Sequence, residues 1–211
     1  PRKTALVRPG PKDSHRRELT LAANIDQVVI VVSVAEPSFN YGFADRFLLA
    51  AHLNELPCVL VLTKTDLVKE LPQEVSDFMQ IVDTVIPVSS VSGEGIDKLF
   101  ALLSGKTSVF SGQSGVGKTT LINRLVPSAA LKTGEVRIKD GKGRHTTVVR
   151  EMHRLGTDME GGWLIDTPGM REFQLSDATT GLAEVFDDIA ELVLQCRFSN
   201  CTHEAEPGCA I

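Results

Sequence analysis

Apolar residues follow two rhythms along this chain, and the alternation between them predicts its architecture. "DQVVIVVSV" (Asp26–Val34) and "CVLVLTKTD" (Cys58–Asp66) hold continuous β-branched and aliphatic runs, as expected of strands covered on both faces. "VIPVSS" (85–90), "TSVF" (107–110), "TTVVREMHRL" (146–155) and "GGWLIDTPG" (161–169) predict four more strands. Between them, "FADRFLLAAHLNEL" (43–56), "EVSDFMQIV" (74–82) and "GEGIDKLFALLS" (93–104) space apolar residues at helical period, and a further helix is predicted from about Lys118. Strands alternating with helices imply an α/β fold built on a mostly parallel, doubly wound sheet. Leu125–Thr147 has neither rhythm and carries three glycines, which predicts a long functional or disordered loop.

Composition narrows the class only a little. At 211 residues, 42% hydrophobic and 23% charged, the chain has soluble-globular composition and enough length for one α/β domain with a small appendage. The longest apolar run, "VVIVVSVA", is too short to span a bilayer, so no membrane partner is expected. No secretory signal is evident, which predicts a cytoplasmic location, and "PRKTALVRP" reads as the continuation of a longer chain. The net charge of −5 is segregated: residues 1–17 and 132–154 are basic, whereas 158–191 is largely acidic. Such stripes suit phosphate contacts but are also ordinary solvated surface. Nothing in the pattern calls for an obligate dimer, so a monomer is expected.

Two stretches carry more specific chemistry. Gly112, Gln113, Ser114, Gly115, Val116, Gly117, Lys118 and Thr119 fit GxxxxGK[ST] in full, between a predicted strand and a predicted helix, with Thr120 following. The glycines let backbone N–H groups converge on a β-phosphate, and the helix start adds partial positive charge. Lys118 would bridge β- and γ-phosphate oxygens, and the Thr119 hydroxyl would bind Mg²⁺. "TKTD" (Thr63, Lys64, Thr65, Asp66) follows a buried strand. Asp66 could accept from guanine N1–H and the N2 amino group, Lys64 could lay its stem along the purine, and the pair Ser89, Ser90 could give a backbone N–H to O6. Adenine presents a donor where guanine O6 accepts, so a mispaired base leaves buried polar groups unsatisfied.

The set "TKTD", "SS", "GQSGVGKT", "RHTT" and "DTPG" resembles the five signatures of the Ras-like GTPases, in a different order. Here base reader and serine loop precede the phosphate loop, the order of the circularly permuted bacterial GTPases. The resemblance implies that Asp166 holds Mg²⁺ through a water, that the Gly169 N–H meets the γ-phosphate, and that Thr146 or Thr147 closes over both. Met170 stands where a water-orienting glutamine would be; His145 is the best replacement in the chain, and slow unassisted hydrolysis is expected. Thr63 occupies a position where many GTPases have asparagine.

Cys196, Cys201, His203 and Cys209 crowd the last residues of the chain in "CRFSNCTHEAEPGC", a spacing suited to one closed structural Zn²⁺ site, with Pro207 and Gly208 returning the chain to Cys209. A permuted GTPase followed by this cluster is similar to the RsgA (YjeQ) family, small-ribosomal-subunit-dependent GTPases. The resemblance implies the end of an N-terminal OB-fold barrel and linker over 1–20, the permuted GTPase domain over 21–175, and an incomplete helical, zinc-binding segment over 176–211. It also implies GTP and GDP as ligands, and the small subunit with its rRNA as partner during late maturation. The alternatives are another permuted ribosome-assembly GTPase, an ATPase with Asp66 idle, or a GTP-dependent RNA-binding module with negligible hydrolysis.

Overall fold

The computed structural model describes residues 1–9, 18–129, 131, 151–156, 161–167, 192–198, 201–203 and 206–210. The chain divides into two compact units, Pro1–Gln174 and Leu175–Ile211. Eight strands and four α-helices are described: β1 Ala5–Pro9, β2 Glu18–Ala23, β3 Gln27–Ser33, α1 Tyr41–Leu53, β4 Cys58–Thr63, α2 Gln73–Phe78, β5 Val85–Pro87, α3 Ile96–Leu103, β6 Thr107–Gly112, α4 Lys118–Leu125, β7 Glu151–Arg154 and β8 Trp163–Asp166. Among the described residues no helix is long and apolar enough to cross a membrane.

Six strands form one sheet in the order β5-β4-β3-β6-β8-β7. β3 pairs in parallel with β4 and β6, β4 with β5, and β6 with β8. The doubly wound sheet expected from the alternating pattern is therefore present, with one antiparallel member. β7 pairs antiparallel with β8, because the few residues between Arg154 and Trp163 are too few for the crossover that a parallel partner needs.

Every residue of β3 is buried. Since side chains alternate across a sheet, Val29 and Val31 enter a cluster with Leu99 and Leu103 of α3, Leu121 and Ile122 of α4, and Phe110 of β6. Val28, Ile30 and Val32 serve the opposite face, where α1 packs against β3 and β4 and buries Phe43, Ala44, Phe47, Ala50 and Ala51. Asn40 starts α1: its backbone is extended and its side chain accepts from the Phe43 N–H at 2.9 Å, satisfying one of the helix's unpaired donors.

From β3 the chain turns to β4 and β5 on one side, then crosses by α3 to β6 on the other side. The connections leaving β3 and β6 consequently diverge, and a crevice opens at their carboxyl ends, the usual ligand position in open α/β sheets.

β1 and β2 form a separate antiparallel pair whose register shifts between Leu6 and Val7. Beside that irregularity the Asn54 amide, which caps α1, holds Val7: Oδ1 accepts from the Val7 N–H at 3.2 Å, and Nδ2 donates to the Val7 carbonyl at 3.3 Å and to the Ala50 carbonyl at 2.7 Å. The pair straddles residue 20, the boundary expected between a linker and the GTPase domain. Asn54→Ala should lower stability by about 1–2 kcal/mol in urea denaturation. It should also speed hydrogen exchange at the Val7 amide while leaving exchange in β3 unchanged.

Candidate nucleotide site and a cysteine–histidine cluster

Because β3, β4, β5, β6 and β8 run in parallel, the residues that follow them arrive at one edge of the sheet. Thr63–Asp66 follow β4, Ser89 and Ser90 follow β5, Gly112–Thr119 follow β6, and Asp166 ends β8. Stretches far apart in sequence are thereby gathered around the β3/β6 crevice.

The glycine loop is shaped by two positions. Gly112 lies so close to β3 that a Cβ there would sit 2.8 Å from the Val31 carbonyl oxygen and 3.1 Å from Val116 Cγ2. Gly117 precedes α4 with φ 88°, a left-handed conformation that costs a side-chain-bearing residue free energy. Gln113, Gly117 and Thr119 are half-buried, Ser114, Gly115 and Thr120 exposed, and Val116 is anchored in the core cluster. Lys118 begins α4, and its ammonium donates to the Asp166 carboxylate. With side chains only 9% and 17% exposed, each charge compensates the other's desolvation.

The "TKTD" stretch leans directly on this glycine loop. The Thr63 hydroxyl, 2% exposed, lies 2.5 Å from the Val116 carbonyl oxygen and 3.1 Å from that of Val32. A hydroxyl has one proton to give, and here it goes to the protein backbone, ahead of any ligand. Thr63 thus ties β4 to the glycine loop. Lys64 takes a left-handed backbone conformation, φ 61°, and its ammonium donates to the Glu36 carbonyl.

Asp66 is exposed, with one carboxylate oxygen accepting from the buried Ser89 hydroxyl at 2.6 Å. The same Ser89 oxygen accepts the N–H groups of Val91 (3.2 Å) and Ser92 (3.0 Å). Ser89 therefore both steadies the aspartate and folds the loop after β5. Among the described residues the neighbouring Ser90 N–H has no acceptor.

Three contributors had no motif to reveal them. The β3–α1 connection forms a wall, with Pro37 Cδ 3.6 Å from where a Gly115 Cβ would sit, and the Ser33 hydroxyl holds the Pro37 carbonyl at 2.6 Å. Thr63's grip on Val116 is invisible in "TKTD" alone. Arg124, in the last turn of α4, reaches the serine loop. The expected switch residues His145, Thr146 and Thr147, together with Gly169 and Met170, lie outside the described residues.

In the second unit the four clustered side chains do meet. One ligand atom each from Cys196, Cys201, His203 and Cys209 lies within 4.8 Å of all the others. His203 Nδ1 is 3.5 Å from Cys196 Sγ and 3.6 Å from Cys209 Sγ. The return is made by Pro207 and Gly208: Gly208 has φ 87°, and its carbonyl accepts the Arg197 N–H at 3.0 Å. Three soft thiols and one imidazole at this spacing fit a tetrahedral zinc donor set. Cys58 belongs to the first unit, its thiol pKa pushed up to about 12 by desolvation and by nearby Asp83.

The RsgA GTPase family model matches residues 1–176. The chain is 41% identical to the small ribosomal subunit biogenesis GTPase RsgA of Chlorobaculum tepidum, covering all of this chain and 68% of that protein. The chain belongs to the RsgA GTPase family. It is also 45% identical to RsgA of Streptomyces coelicolor, again over its whole length but over only 58% of that relative. It thus spans little more than half of some RsgA proteins. Among solved structures, YjeQ from Thermotoga maritima superposes with a TM-score of 0.62 at 30% identity, covering 99% of this chain and 66% of that one. YloQ, described as a circularly permuted GTPase, superposes with a TM-score of 0.54 at 25% identity, over 95% of this chain and 68% of that one.

Two expectations follow from the geometry. Thr63→Val keeps the shape but strands the Val116 carbonyl, and should cost about 1–3 kcal/mol in denaturant unfolding. If zinc fills this donor set, Cys209→Ser should remove it from the purified protein by elemental analysis, whereas Cys58→Ser should leave it intact.

Proposed function

We propose that this chain binds and hydrolyses GTP as a factor in late maturation of the small ribosomal subunit. The observation that carries the reading is the meeting of Thr63–Asp66 with the phosphate loop, sealed by the Thr63 hydroxyl on Val116. A base reader and a phosphate cradle joined so closely address one nucleotide.

In this reading Asp66, steadied by Ser89, accepts from guanine N1–H and N2, and the free Ser90 amide donates to O6. Adenine would leave both unsatisfied. Lys64 lies along the purine, its ammonium held by the Glu36 carbonyl. The backbone N–H groups of 113–119 surround the β-phosphate, and Lys118 transfers from Asp166 to the β- and γ-phosphates. Mg²⁺, held by Thr119 and through water by Asp166, would neutralise charge building on the leaving phosphate. The present Lys118–Asp166 pair fits that scheme, because both partners are preserved as charges and released together when nucleotide enters. Thr146 or Thr147 and the Gly169 N–H would complete the γ-phosphate contacts, with His145 orienting water in place of the glutamine that Met170 replaces.

Zinc bound by Cys196, Cys201, His203 and Cys209 would cross-link the C-terminal segment. Residues 1–20 are read as the end of an OB-fold barrel and a linker, 21–175 as the permuted GTPase domain, and 176–211 as part of the zinc-binding domain. The relatives' names point to the small ribosomal subunit as the partner, and rRNA supplies the phosphates that the basic stretches would meet. The protein is read as a cytoplasmic monomer.

Phosphate release should be slow for the protein alone and rise at least tenfold when small ribosomal subunits are added, a barrier change of about 1.4 kcal/mol or more. Lys118→Ala should remove that stimulated activity. Stimulation that persists in Lys118→Ala would overturn the assignment, and nucleotide binding without any phosphate release would favour an RNA-binding module instead.

A further inference from the structure

Arg124 joins the phosphate-loop helix to the loop that follows β5. Its Nε donates to the Ser90 carbonyl at 2.8 Å and its Nη2 to the Val91 carbonyl at 3.3 Å. The other ends of the same two peptide groups are also held, because the Val91 and Ser92 N–H groups both donate to Ser89 Oγ. Two successive peptide planes are therefore clamped at both edges, one edge by the guanidinium and the other by the serine hydroxyl. Just upstream, the Ser89 N–H donates to the Glu94 carbonyl, and the Ser89 carbonyl accepts from Gly93. Within this turn the Ser90 N–H is the amide left over among the described residues.

We infer that Arg124 is a specificity-positioning residue: it holds the Ser90 amide where guanine O6 must arrive and ties that point to the helix carrying Lys118. This rests on the guanine-binding reading given above and adds a residue to it. A planar guanidinium suits the task, since its fork can meet two carbonyls at once while its charge strengthens each bond. Lysine, a point charge with no fixed fork, holds such a pair less rigidly. Arg124 lies in the last turn of α4, where its cation also faces the negative end of the helix dipole.

The test separates O6 recognition from N2 recognition by competition with a fluorescent guanine nucleotide. GDP is compared with 2-aminopurine riboside diphosphate, which lacks O6 and with it the N1 proton, a loss common to either form of the protein, and with IDP, which keeps O6 and N1–H but lacks the N2 amino group. Arg124→Ala should weaken GDP about three- to tenfold, the scale of one impaired hydrogen bond to a well-placed amide. Binding of the 2-aminopurine nucleotide should hardly change, so the GDP/2-aminopurine ratio falls while the GDP/IDP ratio, set by Asp66, stays constant. Arg124→Lys should recover part of the lost ratio. Equal weakening of all three nucleotides would overturn the inference in favour of a purely structural role. A parallel fall in both ratios would overturn the assignment to the Ser90 amide, since the whole reader would then have moved. An unchanged GDP affinity in Arg124→Ala would overturn it as well. If the unaltered protein fails to prefer GDP over ADP, the guanine-binding reading itself is wrong, a result distinct from any of these.

Discussion

β3 has no face turned to water. All seven of its residues are buried, with α1 on one side and the α3–α4 cluster on the other, and its backbone is paired along both edges. A strand so placed cannot slip by one residue, because both its neighbours and both its layers would lose register together. Burying each large aliphatic side chain is worth about 1.5–3 kcal/mol, and β3 alone buries five of them, Val28 to Val32. The apolar core therefore sets where the strands end, and the polar contacts refine what those ends present.

Register at the base of the sheet becomes geometry at its edge. Val32 lies beside Leu62 and Ser33 beside Thr63, while Val31 lies beside Gly112. One step beyond that line, Thr63 meets Val116 and Pro37 faces Gly115. These approaches need small residues or bare backbone at the right positions, which is why Gly112 sits against the Val31 carbonyl. The charged groups follow the same logic. Lys118 and Asp166 are drawn out of water by the positions of α4 and β8, and each is tolerated because the other is present.

The polar contacts also form a connected system across the crevice. Glu36 holds Lys64, Ser89 holds Asp66, and Arg124 holds the turn beyond Ser89. The first two join loops that follow different strands and the third joins a loop to α4, so the candidate reader is fixed from several directions. Such preorganisation lowers the ordering cost of binding. The contacts at Glu36 and Arg124 use main-chain carbonyls as acceptors, and side-chain identity at the acceptor is consequently unconstrained.

The local pattern was enough for the strands and helices of the sheet: continuous β-branched runs need cover on both faces, as strands of a parallel sheet have, and "GQSGVGKT" falls between a strand and a helix as its spacing predicted. The close Cys/His spacing was equally direct, since a short loop brings its own ligands together. What the linear pattern could not decide was every contact between distant segments. Asn54 reaching Val7, Pro37 walling Gly115, Arg124 holding Ser90 and the antiparallel turn of β7 onto β8 all depend on which strands become neighbours. Side-chain chemistry is written in the residues themselves, but distance between remote residues is created only when the sheet assembles, and hydrogen bonds are decided by distance.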